Sequence, residues 1–215
     1  MTQGFSRDDV EALAALGPPR RYRRGTILFH EGDAPESVIV IRRGRVKISS
    51  FTADGKEVVL AVREAGQLLG ELSAIDGEMR SATATALENV EAAWIPATVF
   101  RSFLMGQPHA TFALLEMMSA RLRDADRKRV EFGAYDTTGR VARRLVEMAD
   151  RFGETTGDGV RITLPLSQQE LAGWTGSSRE AVSKSLHALR ARGFIETARR
   201  GITVLDLTGL RRRAT

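Results

Sequence analysis

The sequence predicts an α+β chain: an N-terminal β-roll of the jelly-roll kind, one long helix, and a C-terminal winged helix-turn-helix. Three patterns predict it. Between Arg20 and Pro96, short β-branched runs are separated by glycine-containing turns. After Gly106-Gln-Pro108 comes the longest uninterrupted helical periodicity in the chain. From Ser167 onward a short capped helix, a glycine turn and a polar-headed second helix follow one another. The expected divisions are 1–107 for the roll, 108–135 for the long helix and hinge, and 136–215 for the winged module.

In chain order, Ser6-Arg-Asp-Asp9 ahead of Val10, Leu13 and Leu16 reads as a capped short helix closed by Gly17-Pro18-Pro19. Ile27–Phe29, Val38–Ile41, Val46–Ile48, Val58–Val62 and Ala92–Ile95 read as strands. Glu31-Gly-Asp33, Arg43-Gly44, Asp54-Gly55 and Ala65-Gly66 are the turn signals between them. Strands this short and this regularly punctuated predict a small barrel or roll. Pro96–Leu104 reads as a connecting helical segment. In the long helix, Leu115, Met118, Leu122, Ala125 and Phe132 recur at spacings of three and four, with Arg129 interrupting. That seam faces either its own domain or a second copy of the chain. The flanking charges Arg121, Arg123, Asp124, Asp126, Arg127, Lys128 and Glu131 favour the second copy.

Asp136 of Tyr135-Asp-Thr-Thr-Gly-Arg140 can cap a new helix carrying Val141, Leu145, Val146 and Met148. Gly153–Gly159 reads as a polar loop and Val160–Leu164 as a strand. Ser167-Gln-Gln-Glu170 makes a capping box, Trp174-Thr-Gly176 the turn, and Ser177–Leu186 opens the next helix. Gly193-Phe-Ile195 and Ile202–Leu205, around Arg199-Arg200-Gly201, predict a hairpin wing.

Composition narrows the function classes. The absence of cysteine excludes disulfides, thiolate-held iron–sulfur clusters and thiol nucleophiles. His30, His109 and His187 lie far apart without ligand spacing, so no metal is expected. The Met1–Asp9 segment lacks an apolar signal core, and no run approaches the roughly 18 apolar residues of a membrane span. A cytoplasmic protein with no membrane partner is the expectation. Residues 1–137 hold 18 Lys and Arg against 19 Asp and Glu, whereas residues 138–215 hold 14 against 8, so the excess positive charge is C-terminal. A polyanion is the expected partner there.

The stretch Leu69–Ala84 carries the chemistry of the first half. Gly70-Glu71-Leu72-Ser73 could let backbone N–H groups approach an anion, and Arg80-Ser81-Ala82 could supply charge and a hydroxyl to it. The Glu71 carboxylate suits a sugar hydroxyl, so one pocket could read both halves of a nucleotide. By itself such a pattern is more often only a glycine turn before a helical turn.

Taken together, Gly-Glu-Leu-Ser…Arg-Ser-Ala in a roll, a long helix, Asp136-x-x-Gly-Arg140 and Ser178-Arg-Glu-x-Val-Ser-Lys184 resemble the cyclic-AMP receptor protein/fumarate-nitrate regulator family of bacterial transcription factors, over nearly the whole chain. The resemblance implies that Gly70, Leu72 and Ser73 offer backbone or hydroxyl contacts, Glu71 the ribose contact, and Arg80, Ser81 and Ala82 the phosphate contacts. Arg121 matches a long-helix arginine that supports the cassette. A base-reading Thr-Ser pair of the cyclic-AMP-binding members falls here on Ala125 and Asp126. Ala125 cannot make such a bond, and Asp126 could accept from adenine or guanine donors. Cyclic AMP is the first expectation and cyclic GMP the alternative, with no haem, metal or iron–sulfur cluster. The implied partners are double-stranded DNA, a second copy of the chain and RNA polymerase.

On the DNA side, Arg179 can lie bidentate on guanine, Glu180 can accept from cytosine, and Lys184 can reach another guanine or a phosphate. Ser178 and Ser183 belong to the same helix face. Ser167, Gln168, Gln169 and the arginines of the wing would hold phosphates without reading sequence. The expected mechanism is a population shift, in which nucleotide re-registers the long helix near Phe132–Asp136 and turns two recognition helices into successive grooves of an inverted repeat. Two alternatives remain: a DNA-binding protein whose cassette is only structural, and an enzyme on a cupin-like roll. The second lacks clustered histidines or paired carboxylates to act with.

Overall fold

The computed structural model describes residues 4–198 and 201–214. The chain divides into two compact units, one of residues up to Phe51 with Leu60–Asp126, the other of Thr52–Val59 with Arg127 onward. The division passes through the long helix.

The first unit opens with α1 (Arg7–Ala14). Its Ser6 cap and Asp9 form the expected reciprocal box, and Asp9 is also held by His109 Nε2 at 2.9 Å. Eight strands follow: β1 (Pro19–Tyr22), β2 (Ile27–Phe29), β3 (Ser37–Arg43), β4 (Val46–Phe51), β5 (Glu57–Arg63), β6 (Leu68–Leu69), β7 (Thr83–Ala86) and β8 (Val90–Pro96). They form two four-stranded sheets, ordered β1-β8-β3-β6 and β2-β7-β4-β5. The short helix α2 (Glu71–Asp76) interrupts the strands between β6 and β7, and α3 (Ala97–Gly106) and α4 (Pro108–Ala134) follow β8.

β3 shows why its apolar run is continuous. Ile39 and Ile41 pack between the sheets with Val46, Ala84 and Val90, while Val38 and Val40 face the helices with Leu13, Phe100, Leu114 and Met117. Both faces are covered, so alternation disappears from the sequence. Each such buried aliphatic side chain contributes about 1.5–3 kcal/mol. β1, β6 and β7 escape a reading by pattern. β1 is Pro-Arg-Arg-Tyr with no buried residue and exists by pairing with β8, β6 has two residues, and Thr-Ala-Thr-Ala of β7 has little apolar bulk.

On α4 the buried face is Ala110, Ala113, Leu114 and Met117. The predicted seam lies elsewhere: Leu115 and Leu122 are 58% and 64% exposed, Ala125 is exposed, Met118 half-buried and Phe132 48% exposed. Met118 packs against the core of the first unit, whereas the other seam residues are exposed within one chain.

The second unit contains α5 (Thr137–Phe152), β9 (Gly153–Thr156), β10 (Gly159–Ile162), α6 (Gln168–Thr175), α7 (Arg179–Ala191), β11 (Ile195–Ala198), β12 (Gly201–Val204) and α8 (Leu207–Arg213). Its sheet runs β11-β12-β10-β9. Asp136 caps α5, accepting from Gly139 N at 2.7 Å as expected. Two readings need correction. The polar loop at Gly153–Gly159 is a strand and its turn, because β10 supplies partners for exposed residues without apolar alternation. Trp174 and Thr175 belong to α6, and the turn begins at Gly176, whose φ of +58° closes the helix. α8 gives little sign in the sequence, its Leu207-Thr-Gly-Leu-Arg-Arg-Arg having only two apolar residues, of which Leu210 is fully buried. The wing hairpin stands where predicted, with Ala198 opposite Gly201, while Arg199 and Arg200 lie outside the described residues.

Candidate functional site

The cassette folds around Arg80. Its backbone is pinned by hydrogen bonds from Arg80 N to Asp33 O and from Gly32 N to Arg80 O, both 2.9 Å. Its side chain turns inward and is only 4% exposed. Nη1 donates to Gly70 O at 2.7 Å, Nη2 to Ser37 O at 2.6 Å, and the guanidinium lies 4.7 Å from the centre of the Phe29 ring. Burial lowers its pKa, opposed by Glu71, Asp33 and Glu36. Gly70 has φ +75°, and a Cβ there would stand 2.2 Å from Arg80 Nη1, so the close approach of this arginine requires glycine.

Glu71 begins α2 and is 2% exposed. One carboxylate oxygen accepts from Arg121 Nη1, and Arg121 Nη2 donates to Leu68 O at 3.1 Å. The other oxygen, Oε2, has no hydrogen-bond partner among the described residues, and neither has Arg80 Nε. One site thus holds a buried unmet acceptor and a buried unmet donor, each costly unless a further group satisfies it.

The remaining cassette residues differ in availability. Ser73 is buried and its hydroxyl donates to Met79 O at 3.2 Å, which commits its one proton. Leu72 is 46% exposed, Ser81 is exposed and Ala82 buried. Ala125 and Asp126, a turn past Arg121 on α4, are exposed. Phe29 and Ser37 were missed by sequence reading. Nothing in a Phe on a short strand or a Ser before an apolar run signals an arginine packed against both.

In the second unit, α7 is capped by Ser178, whose side chain accepts from Ala181 N at 3.1 Å. Val182, Ser185, Leu186 and Leu189 are buried, leaving Arg179, Glu180, Ser183 and Lys184 on the exposed side. The Glu180 carboxyl is held below its usual value first by its own backbone N–H and the Ser178 hydroxyl, then by Arg179 and Lys184. Gln168 and Gln169 are exposed at the start of α6. Ser167 is exposed too, but its hydroxyl donates to Glu170 Oε2 at 2.8 Å and accepts from Glu170 N, so the cap competes with any phosphate.

The Asp-x-x-Gly-Arg motif has a physical role that its sequence does not announce. Arg140 donates to Tyr135 O at 2.6 Å, Thr175 O at 2.9 Å and Ser177 Oγ at 3.2 Å, clasping the end of α4 to the turn before α7. A Cβ on Gly176 would stand 2.4 Å from the Phe132 ring. Beside this clasp, buried Glu131 of α4 accepts from Arg143 Nε at 2.6 Å and pairs with Arg144.

Comparison with known proteins agrees with this architecture. The family profile of the cyclic nucleotide-binding domain matches residues 19–107, and that of the Crp-like helix-turn-helix domain matches residues 139–213. The CRP-like cAMP-activated global transcriptional regulator of Mycobacterium tuberculosis is 32% identical over 212 residues, 99% of this chain and 95% of that protein. The cAMP-activated global transcriptional regulator Vfr of Pseudomonas aeruginosa is 30% identical, across 86% of this chain and 88% of Vfr. Among solved structures, the c-di-GMP responsive regulator CLP of Xanthomonas campestris superposes with a TM-score of 0.81 at 26% identity, covering 91% of this chain and 97% of CLP. TTHB099, a CRP-family regulator of Thermus thermophilus, gives 0.78 at 26% identity, covering 91% and 96%. With both domain profiles matched in order and a relative this similar end to end, the chain belongs to the cyclic-AMP receptor protein/fumarate-nitrate regulator family of transcription regulators and is not an enzyme.

Proposed function

We propose that the protein is a dimeric, cyclic-nucleotide-responsive regulator that binds inverted-repeat DNA in the cytoplasm, with cyclic AMP as its ligand. The observation that carries the reading is the orphan pair in the cassette: Arg80 Nε needs an acceptor and Glu71 Oε2 needs a donor. A ribose cyclic phosphate brings both on one small molecule, its phosphate for Arg80 and its 2′-hydroxyl for Glu71. The backbone around Gly70, Leu72 and Ser73, together with Ser81 and Ala82, would complete the cradle. The names of the Mycobacterium and Pseudomonas relatives as cAMP-activated support the choice of nucleotide. Asp126 would accept from the base, a contact cyclic GMP could also supply.

The apolar line Leu115, Leu122 and Phe132, exposed within one chain, supports pairing of two α4 helices. A twofold dimer carries two α7 helices to half-sites about one helical turn apart. Arg179, Glu180 and Lys184 would read bases, and Ser178, Ser183, Gln168, Gln169 and the backbone of Ser167 would hold phosphates. RNA polymerase is the expected partner once the regulator sits on DNA. In the mechanism, nucleotide satisfies Glu71, whose carboxylate is held by Arg121 of α4, and so biases α4 and the segment that follows it. A mostly inactive pool becomes mostly active when the ligand prefers the active form by about 10⁴-fold.

One observation favours a second reading, a regulator that needs no nucleotide: both Nη atoms of Arg80 already have acceptors in Ser37 O and Gly70 O. Calorimetric titration with cyclic AMP and cyclic GMP decides. Saturable heat with cyclic AMP, lost in Arg80→Ala, upholds the proposal; no heat with either nucleotide favours the second reading.

A further inference from the structure

We infer that His187 is a further DNA-contacting residue of α7, donating its Nε2–H to a backbone phosphate; the inference rests on α7 being the recognition helix. At about 100° per residue, the side of α7 opposite Val182, Ser185, Leu186 and Leu189 carries Glu180, Ser183, Lys184 and His187, with Arg179 at its edge. His187 is exposed. The sequence offers it only as a histidine without metal-ligand spacing, and its use appears only with its neighbour. Nδ1 stands 3.1 Å from Arg190 Nη2. A guanidinium has donors and no acceptor, so Nδ1 accepts, and the neutral ring carries its proton on Nε2. Arg190 is itself held from the wing, donating from Nη1 to Thr197 Oγ1 of β11 at 3.3 Å. Arg190 is therefore a positioning residue that fixes which ring nitrogen donates.

The position along the helix selects the acceptor. Recognition helices put their N-terminal residues on base edges. His187 lies about 12 Å further along the axis than Arg179, at 1.5 Å per residue, where the helix has passed the bases and meets the sugar-phosphate strand. A neutral donor there orients the helix and releases no counterion, in contrast to Lys184.

The test is DNA binding by the full-length protein, with cyclic AMP present, to a site selected from random sequence and to its single-base variants, at pH 8 and several salt concentrations. His187→Ala is expected to weaken binding about fivefold, by the same factor on every variant, with an unchanged salt slope. His187→Gln, which keeps an N–H donor, is expected to restore binding to within about twofold of the parent. Nitrogen-15 shifts of the ring should report the Nε2–H form in the parent and a mixture of tautomers in Arg190→Ala. Unchanged binding by His187→Ala, a loss confined to one base pair, or a loss that Gln does not restore would overturn the inference. Arg179→Ala in the same assay separates the two levels. If it too leaves binding unchanged, the reading of α7 fails; if it weakens binding while His187→Ala does not, only the role of His187 fails.

Discussion

Arg121 of α4 and Glu71 of α2 lie 50 residues apart in sequence and form an ion pair in which the carboxylate is almost wholly buried. The pair fastens the middle of the long helix to the cassette, and its second carboxylate oxygen is left for something else.

Removing Arg121 leaves Glu71 buried and without its cation. Arg121→Ala should destabilise the protein by about 3–5 kcal/mol, and the double variant Glu71→Gln/Arg121→Ala should recover much of that loss. Urea unfolding of Arg121→Ala, Glu71→Gln and the double variant measures it, and an uncoupled, additive pair would contradict the role of this ion pair.

At Gly70, two demands coincide: a left-handed φ and contact with Arg80. Gly70→Ala should cost about 1–3 kcal/mol and weaken nucleotide binding at least about tenfold, a loss of about 1.4 kcal/mol. Thermal unfolding and calorimetry on one preparation read both effects. Adding Arg80→Ala should relieve the overlap while leaving the φ strain.

The Arg140 clasp holds Tyr135 O, Thr175 O and Ser177 Oγ, which lie on two segments. Arg140→Ala should destabilise the protein by about 1–3 kcal/mol. Arg140→Lys should restore less than half of it, since an ammonium lacks the fork that spans the three. Hydrogen exchange at Gly176–Ser178 shows whether the loosening is local to the turn.

Base reading gives two opposed changes. Glu180→Ala should relax preference at one base pair, and Lys184→Arg should sharpen another by about 1–3 kcal/mol. Binding to a library of operator variants measures both. A uniform change across all sequences would place these side chains on phosphates.

Acid should attack the second unit through Asp136. Arg213, then the Gly139 N–H, hold its carboxyl below the ordinary value of 3.8. A depressed native pKa contributes stability that is present above 3.8 and is lost as pH falls through the lower native value. Asp136→Asn should flatten the acid limb of stability against pH and leave the neutral region nearly flat, as read by denaturation at closely spaced pH values.

Much of this was legible in the residues, and what escaped has physical reasons. The capping boxes at Ser6 and Ser167, the cap at Asp136 and the apolar run of β3 follow from local chemistry and could be placed without a structure. β1 could not, because Arg20 and Arg21 hold a strand only through pairing with β8. The cassette motif marked Arg80 as an anion ligand. That Arg80 is turned onto Ser37 O and Phe29 depends on strands 43 and 51 residues away, which no local pattern encodes. The surroundings of His187 escape for a similar reason, since the Arg190 guanidinium beside its Nδ1 is itself held by Thr197 of a wing strand.

The account stands on one coupling, between a nucleotide in the cassette and DNA at α7. Its most direct test is the affinity of the full-length protein for its selected site, measured at fixed salt with and without saturating cyclic AMP. The account predicts at least about a tenfold gain, or about 1.4 kcal/mol, with cyclic AMP, and no gain in Arg80→Ala. Equal affinity with and without the nucleotide in the parent protein would contradict it.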